Sequence, residues 1–218
     1  MLVEERRENV NTVLQTNERS VCEKSKRLGY LTIKRTFDIC ASVVAMAILA
    51  IPMLVVAAII KLDSPGPIIF QQKRMGKNGE IFTIYKFRTM RLNTPSDVPA
   101  RVFSDADCYI TKVGAFLRRS SIDEFPQLWN ILKGDMSFVG YRPVCLTEAD
   151  LNELRRDRGV FQVRPGLTGY AQVMGRDNIS HRQKADLDGY YVENMSLQLD
   201  LLCLVKTVGI VLSGEGAN

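Results

Sequence analysis

The run Arg118-Arg119-Ser120-Ser121-Ile122-Asp123-Glu124 sets two carboxylates beside two guanidinium groups. Two readings fit it. A serine followed three residues later by an acid makes a capping box, and acids in a first turn suit the helix dipole. Alternatively, a helix start with arginines beside it binds phosphate, through backbone N–H groups and guanidinium forks. One carboxylate could then hold a divalent cation. The other could attack phosphorus once cation and arginines have neutralised the phosphate's charge. An aspartate nucleophile would give an acyl phosphate, which hands the phosphoryl group to a second acceptor.

Other cations are candidates for the same chemistry. Arg142 lies between tyrosine and proline in Val139-Gly140-Tyr141-Arg142-Pro143, where a rigid loop would hold its guanidinium for a phosphate. Lys86 and Arg88 end an apolar run and admit either a phosphate-binding or an ordinary surface role. Arg164, Arg176 and the single histidine, His181, stand too far apart in sequence for their types alone to assign them chemistry.

These side chains need elements to position them. Ile68 to Met75 and Glu80 to Phe87 read as two strands, joined through Gly76-Lys77-Asn78-Gly79 with its Asn-Gly hairpin signal. Residues 91–107 read as loop. A helix is expected from Ser120 or Ser121, with Phe125, Leu128, Trp129 and Leu132 on one side and Gly134 as its stop. Residues 134–144 and 164–176 are turn-rich. Ser180 to Glu193 has a polar helical pattern, and Leu197 to Leu212 reads as an interfacial or core helix.

Ahead of these lies a stretch of a different kind. From Ile39 to Ile60 there are 22 residues without a charge. At about 1.5 Å rise per residue they could cross a hydrocarbon core. Pro52 falls inside the run and removes a helical hydrogen bond. Lys34, Arg35 and Lys61 flank it, and positive charge favours the cytoplasmic side. A hairpin that dips into one leaflet and bends at Pro52 accommodates both basic ends. A straight span with a tolerated proline is the alternative, and a buried soluble helix a weaker third. Residues 1 to about 30 are charged, with no sustained apolar face, and read as a mobile or weakly helical extension.

Composition bounds the rest. The chain has 218 residues, 46% of them hydrophobic and 24% charged, with a formal net charge of +5. That is enough to bury a core and too apolar for wholesale disorder. The mean hydropathy of −0.04 excludes a polytopic membrane protein. Five scattered cysteines with no C-x-x-C argue against a disulfide framework or a structural zinc site, and one histidine excludes a His-rich metal centre. Glu4, Glu5, Arg6, Arg7 and Glu8 stand where a signal peptide's apolar core would begin.

From Lys34 to about Leu202 the chain resembles the bacterial sugar transferases, the monotopic phosphoglycosyl transferases. The matching runs include Lys34-Arg35-Thr36-Phe37-Asp38, Ser64-Pro65-Gly66-Pro67 and Ile84-Tyr85-Lys86-Phe87-Arg88-Thr89-Met90. Leu117 to Glu124, Pro126-Gln127-Leu128-Trp129-Asn130, Leu132 to Ser137, Val163 to Gly169 and Gly175-Arg176 continue them in order. The resemblance displaces the capping reading of Asp123 and Glu124. It implies transfer of a sugar 1-phosphate from a UDP-sugar to a polyprenyl (undecaprenyl) phosphate with release of UMP. That step would begin cell-surface polysaccharide or glycoconjugate synthesis at the cytoplasmic face of the bacterial inner membrane. It further implies Asp123 as nucleophile, Glu124 as ligand of Mg2+, and Lys86, Arg118, Arg142, Arg164 and Arg176 near phosphate or substrate. Two runs depart from the family's pattern. Ile51-Pro52 stands for its Ser-Pro bend, and Tyr141-Arg142-Pro143 for its Pro-Arg-Pro.

The expected architecture is an α/β, helix-rich catalytic domain with a small β-hairpin, one re-entrant membrane helix-hairpin bent at Pro52, and interfacial amphipathic helices. Residues 1–32 would be the N-terminal extension and 33–62 the membrane hairpin. Residues 63–218 would form the cytoplasmic domain with a C-terminal interfacial helix. Lacking the extra spans of larger relatives, the chain reads as a minimal form. The expected partners are UDP-sugar, polyprenyl phosphate and membrane lipids, not nucleic acid, and an oligomer is left open. The rival reading is a non-catalytic membrane-anchored binding or scaffold protein.

Overall fold

A computed structural model describes residues 2–92, 94, 109–175 and 179–213, with the side chains of those that lie within 27–211. Chain contacts divide it into two compact units, Met1–Phe37 and Asp38–Asn218. The first is a single helical stretch from Leu2. Its charged composition suggested at most weak helicity; the backbone is nonetheless helical throughout. The expected loop over residues 91–107 lies outside the described residues except at 91, 92 and 94.

Helix α1 runs Leu2–Asp63. The backbone keeps its helical assignment through Pro52. Within the second unit, α1 has two faces. Asp38, Ser42 and Ile60 are buried, and Ala45, Met46, Leu49, Met53, Val56 and Ala57 pack partly against the body. Their spacings of three, four and seven form one helical stripe. Val44, Ile48, Ile51, Leu54 and Val55 face outward, with Ile51 75% exposed. An outward face this apolar marks an interaction surface for lipid or another protein.

The body fastens α1 at both ends of the uncharged run. Near its start, Asp38 Oδ1 accepts hydrogen bonds from Ser137 Oγ (3.1 Å) and from the Phe138 backbone N–H (3.0 Å). Near its end, the buried Arg88 guanidinium donates to the carbonyls of Ser64 (2.6 Å) and Pro65 (2.8 Å) and to Ser64 Oγ (3.0 Å). A cation there satisfies orphan carbonyls and suits the negative end of the helix dipole. Arg88 therefore anchors a helix, which settles its ambiguity in the sequence.

Strands β1 (Ile69–Met75) and β2 (Ile81–Phe87) pair antiparallel, with Ile69 opposite Phe87 and Met75 opposite Ile81. The turn between them holds Asn78 at φ 57°, a left-handed value asparagine tolerates better than most residues. Helix α2 (Lys112–Arg119) follows the undescribed segment and is capped by Thr111, whose side chain accepts from the Gly114 N–H.

The single helix expected from Ser120 does not form. The chain breaks at Ser121, which adopts φ 55°, makes a short 3-10 turn over Ile122–Glu124, and re-enters helix α3 at Gln127–Lys133. No capping box exists there, since the Ser121 side chain makes no cap hydrogen bond. Ser120 Oγ instead donates back to the carbonyls of Phe116 and Leu117. On α3, Leu128 and Ile131 are buried while Trp129 is half exposed, so Trp129 does not share the core side. Gly134, at φ 101°, ends α3 as expected.

Two three-residue strands, β3 (Ser137–Val139) and β4 (Gly166–Thr168), pair in parallel. The pairing needs glycine. A Cβ on Gly166 would lie 2.2 Å from Gly140 N, and one on Gly140 would lie 2.4 Å from the Arg164 carbonyl. Helices α4 (Ala149–Asp157), α5 (Tyr170–Gly175), α6 (His181–Glu193) and α7 (Leu197–Ser213) complete the body. The polar helix expected from Ser180 is α6, with a Ser180–Gln183 capping box. The apolar C-terminal helix is α7. It buries Asp200 and Cys203 and leaves Leu197, Leu201, Val205 and Val208 outside.

Candidate active site

Strand β2 brings the site together. Ile84 and Lys86, two residues apart, share one face of the strand. Ile84 packs on Leu128, Ile131 and Met136. Lys86 therefore meets the turn that precedes α3. Buried Asn130 fixes this docking: its Oδ1 accepts from the Tyr85 N–H (3.1 Å), and its Nδ2 donates to the Thr83 carbonyl (2.7 Å). One amide side chain thus mimics a neighbouring strand and sets the lysine's height against the acids.

Asp123 is 8% exposed. Lys86 Nζ lies 2.7 Å from Glu124 Oε1 and 3.8 Å from Asp123 Oδ2. Arg142 reaches Glu124 from the other side, with Nη2 2.6 Å from Oε1 and Nη1 3.4 Å from Oε2. Glu124 is therefore clamped between a lysine and a guanidinium fork. Arg118, at the end of α2, hydrogen-bonds Thr89 Oγ1 through Nε (2.9 Å), and its charge acts on Asp123.

The two carboxyls are driven apart electrostatically. For Glu124, burial alone would raise the pKa. The charges and hydrogen bonds of Arg142 and Lys86 outweigh it and hold the group well below the usual carboxylate range. For Asp123 burial dominates and pushes the pKa up, against the pull of Lys86, and the Glu124 charge adds to the rise. Adjacent carboxyls with opposed shifts serve different tasks. Glu124 stays an anion that organises cations. Asp123 is a poorly solvated carboxyl whose basicity burial raises.

Of the residues singled out in the sequence, the structure brings together Asp123, Glu124, Lys86, Arg118 and Arg142. Arg164 is placed otherwise: its Nε donates to the Gly134 carbonyl (2.7 Å), which ties β4 to the end of α3. Arg176 lies outside the described residues. Tyr141 is 1% exposed and packs edge-on against Phe161, so it belongs to the core. Sequence reasoning missed Asn130 and Arg74. Arg74 reaches the Pro143 carbonyl, and its charge interacts with Arg142 and Glu124. Alternation along β1 was the one signal that could have singled out Arg74.

A groove of about 310 Å3 runs between α1 and α2, lined by Val56, Ile59, Val113, Phe116 and Leu117 with Lys112 at its rim. The same short helix that lines it ends in Arg118.

Known sequences resemble this chain over most of its length. The signature of the family described as bacterial sugar transferase matches residues 29–214. A UDP-N-acetylgalactosamine-undecaprenyl-phosphate N-acetylgalactosaminephosphotransferase of Aeromonas hydrophila is 42% identical over 87% of this chain and 46% of its own length. The uncharacterized sugar transferase EpsL of Bacillus subtilis is 40% identical over 85% of this chain and 90% of its own. An undecaprenyl-phosphate galactose phosphotransferase of Salmonella typhimurium is 36% identical over 85% of this chain and 41% of its own. The chain thus spans a little under half the length of two of these relatives and most of the third.

The electrostatics of the pair predict a signed effect. Lys86 favours the charged form of Asp123, so Lys86→Met should move the Asp123 titration midpoint further upward. Carbon NMR of side-chain-labelled aspartate reads it. An unchanged or lowered midpoint would show that Lys86 does not act on Asp123 in this way.

Proposed function

The chain belongs to the bacterial sugar transferase family, and on that premise we propose that it moves a sugar 1-phosphate from a UDP-sugar to a polyprenyl phosphate through Asp123. The observation that carries this reading is the buried Asp123 beside a Glu124 gripped by Lys86 and Arg142. An Asp123 carboxylate oxygen attacks the sugar-bearing phosphorus. The bond from that phosphorus to the bridging oxygen breaks, and its electron pair leaves with UMP. The product is an acyl phosphate on Asp123. An oxygen of the polyprenyl phosphate then attacks the same phosphorus, the bond to Asp123 breaks, and the carboxylate returns. Lys86, Arg118 and Arg142 hold the phosphates in line and offset the charge that spreads over their oxygens.

Magnesium fits the residues present. Glu124 Oε2 takes only the longer contact from Arg142, and a carboxylate oxygen is the hard donor this ion prefers. Among the described residues no group of three or more His, Cys, Asp or Glu could hold a metal. Glu124 would therefore hold the ion together with substrate phosphate and water, as magnesium commonly allows. Bound there, it would neutralise diphosphate charge.

Membrane placement follows from the acceptor. The outward face of α1 and the exposed apolar side of α7 suit contact with lipid. One body grips α1 at Asp38 and again at Ser64, which supports a re-entrant helix with both ends on the cytoplasmic face. The groove between α1 and α2 suits the first isoprene units of an acceptor whose phosphate lies by Arg118.

Asp123→Asn tests the chemistry. We expect folding and membrane association to persist and UMP release from UDP-sugars to fall by at least about a thousandfold, the loss typical of a missing nucleophile. Turnover at the parental rate would remove Asp123 from the reaction and favour an anchored binding protein. Topology has its own test: cysteines replacing Lys34 and Lys61 should react with an impermeant maleimide only after the membrane is opened. Labelling of one of them on intact cells would reject the hairpin and leave the chemistry standing.

A further inference from the structure

Arg155 on α4 is 1% exposed, although nothing in the proposed reaction uses it. Its Nε and Nη2 donate to Asp188 Oδ2 at 2.9 and 2.6 Å. Asp188, on α6, is 2% exposed. The third donor, Nη1, goes to the backbone carbonyl of Arg142 at 2.9 Å. The guanidinium carbon also lies 5.1 Å from the centre of the Tyr141 ring, in cation–π range. One buried fork thus holds two consecutive residues of the loop, Tyr141 by its ring and Arg142 by its carbonyl. Arg142 then extends outward to Glu124.

Tyr141 has further fastenings, since its carbonyl accepts from the Gly166 N–H (2.8 Å) and its hydroxyl donates to the Met75 carbonyl (3.3 Å), whereas the Arg142 carbonyl takes its hydrogen bond from Arg155. Arg142 is itself well exposed, at 44% of its side chain, and an exposed arginine ordinarily samples many rotamers. A guanidinium that must meet a phosphate needs its backbone held, since an error near 1 Å costs about a hundredfold in rate. A buried ion pair is also a poor way to gain stability, because desolvation offsets its attraction. Its position under this loop fits a role in placement.

We propose that Arg155, oriented by Asp188, is a positioning residue that fixes the Tyr141–Arg142 backbone so that Arg142 reaches Glu124 and the donor phosphate. The inference rests on the transferase reading for its kinetic consequence and on geometry alone for its structural one. Lysine cannot replace the fork, because it cannot serve carboxylate, carbonyl and ring together.

The test has two arms. Hydrogen exchange by mass spectrometry is compared for the full chain and Arg155→Lys. Exchange should rise in peptides covering residues 139–145 and stay unchanged in β1, β2 and α3. The kinetic arm uses undecaprenyl phosphate with UDP-galactose or UDP-N-acetylgalactosamine, whichever is turned over. Arg155→Lys should lower kcat/KM about tenfold to a hundredfold. Placed in an Arg142→Ala background, it should lower it less than about twofold further, because its effect passes through Arg142. Equal losses in both backgrounds, or protection of residues 139–145 in the variant, would overturn the proposal. Should the parent enzyme turn over neither of these donors nor any in a wider panel of UDP-sugars, the transferase reading fails and the exchange arm still decides the positioning. If Arg155→Lys does not fold, the pair Arg155→Met with Asp188→Leu removes both charges without stranding one, and the same outcomes apply.

Discussion

Everything at the site hangs on Glu124 being held as an anion between Lys86 and Arg142. The two cations come from elements far apart in sequence: one from a hairpin strand, the other from the loop after β3. Glu124 therefore does more than carry charge. It fixes two donors at a set separation, and its own negative charge raises the basicity of the neighbouring Asp123. Without that anion, Lys86 and Arg142 would repel each other beside the turn that carries Asp123.

The fold is arranged to sustain this meeting. Asn130 sets β2 against α3, and Asp38 ties the uncharged part of α1 to β3. Arg88 closes the end of that helix two residues after Lys86. A single strand end thus serves the site with Lys86, the α1 terminus with Arg88 and the α2 arginine with Thr89. The outward apolar face of α1 and the proposed reacting groups belong to one unit of the chain. That is the arrangement expected where one substrate is soluble and the other lies at an interface.

The sequence carried some of this openly. The β-hairpin was legible because Asn-Gly turns and strand alternation are local signals, and the end of α3 was legible because Gly134 can adopt a left-handed backbone. Asp123 and Glu124 stood out by type, but their motif alone read first as a capping box until the family resemblance displaced that reading. Only the left-handed Ser121 and the short turn after it show why no box forms. Strands β3 and β4 were not legible, since three residues are too few to display a period. Nor were the buried partners. Arg155 and Asp188 are separated by 33 residues, and no spacing rule joins them. Arg164 was singled out by kinship of sequence, yet the structure gives it the Gly134 carbonyl. In each of these cases tertiary packing, not local preference, chose the partner.

The proposed reaction stands on Asp123 becoming the temporary carrier of the phosphosugar. The most direct measurement is rapid acid quenching of the enzyme during turnover with a donor labelled in the sugar-bearing phosphate, followed by peptide mapping. Label should appear on the peptide containing Asp123, rise before the lipid product and disappear when polyprenyl phosphate is added. Full turnover with no label on the polypeptide at any time would mean the phosphosugar passes directly from donor to lipid, and Asp123 would not be its carrier.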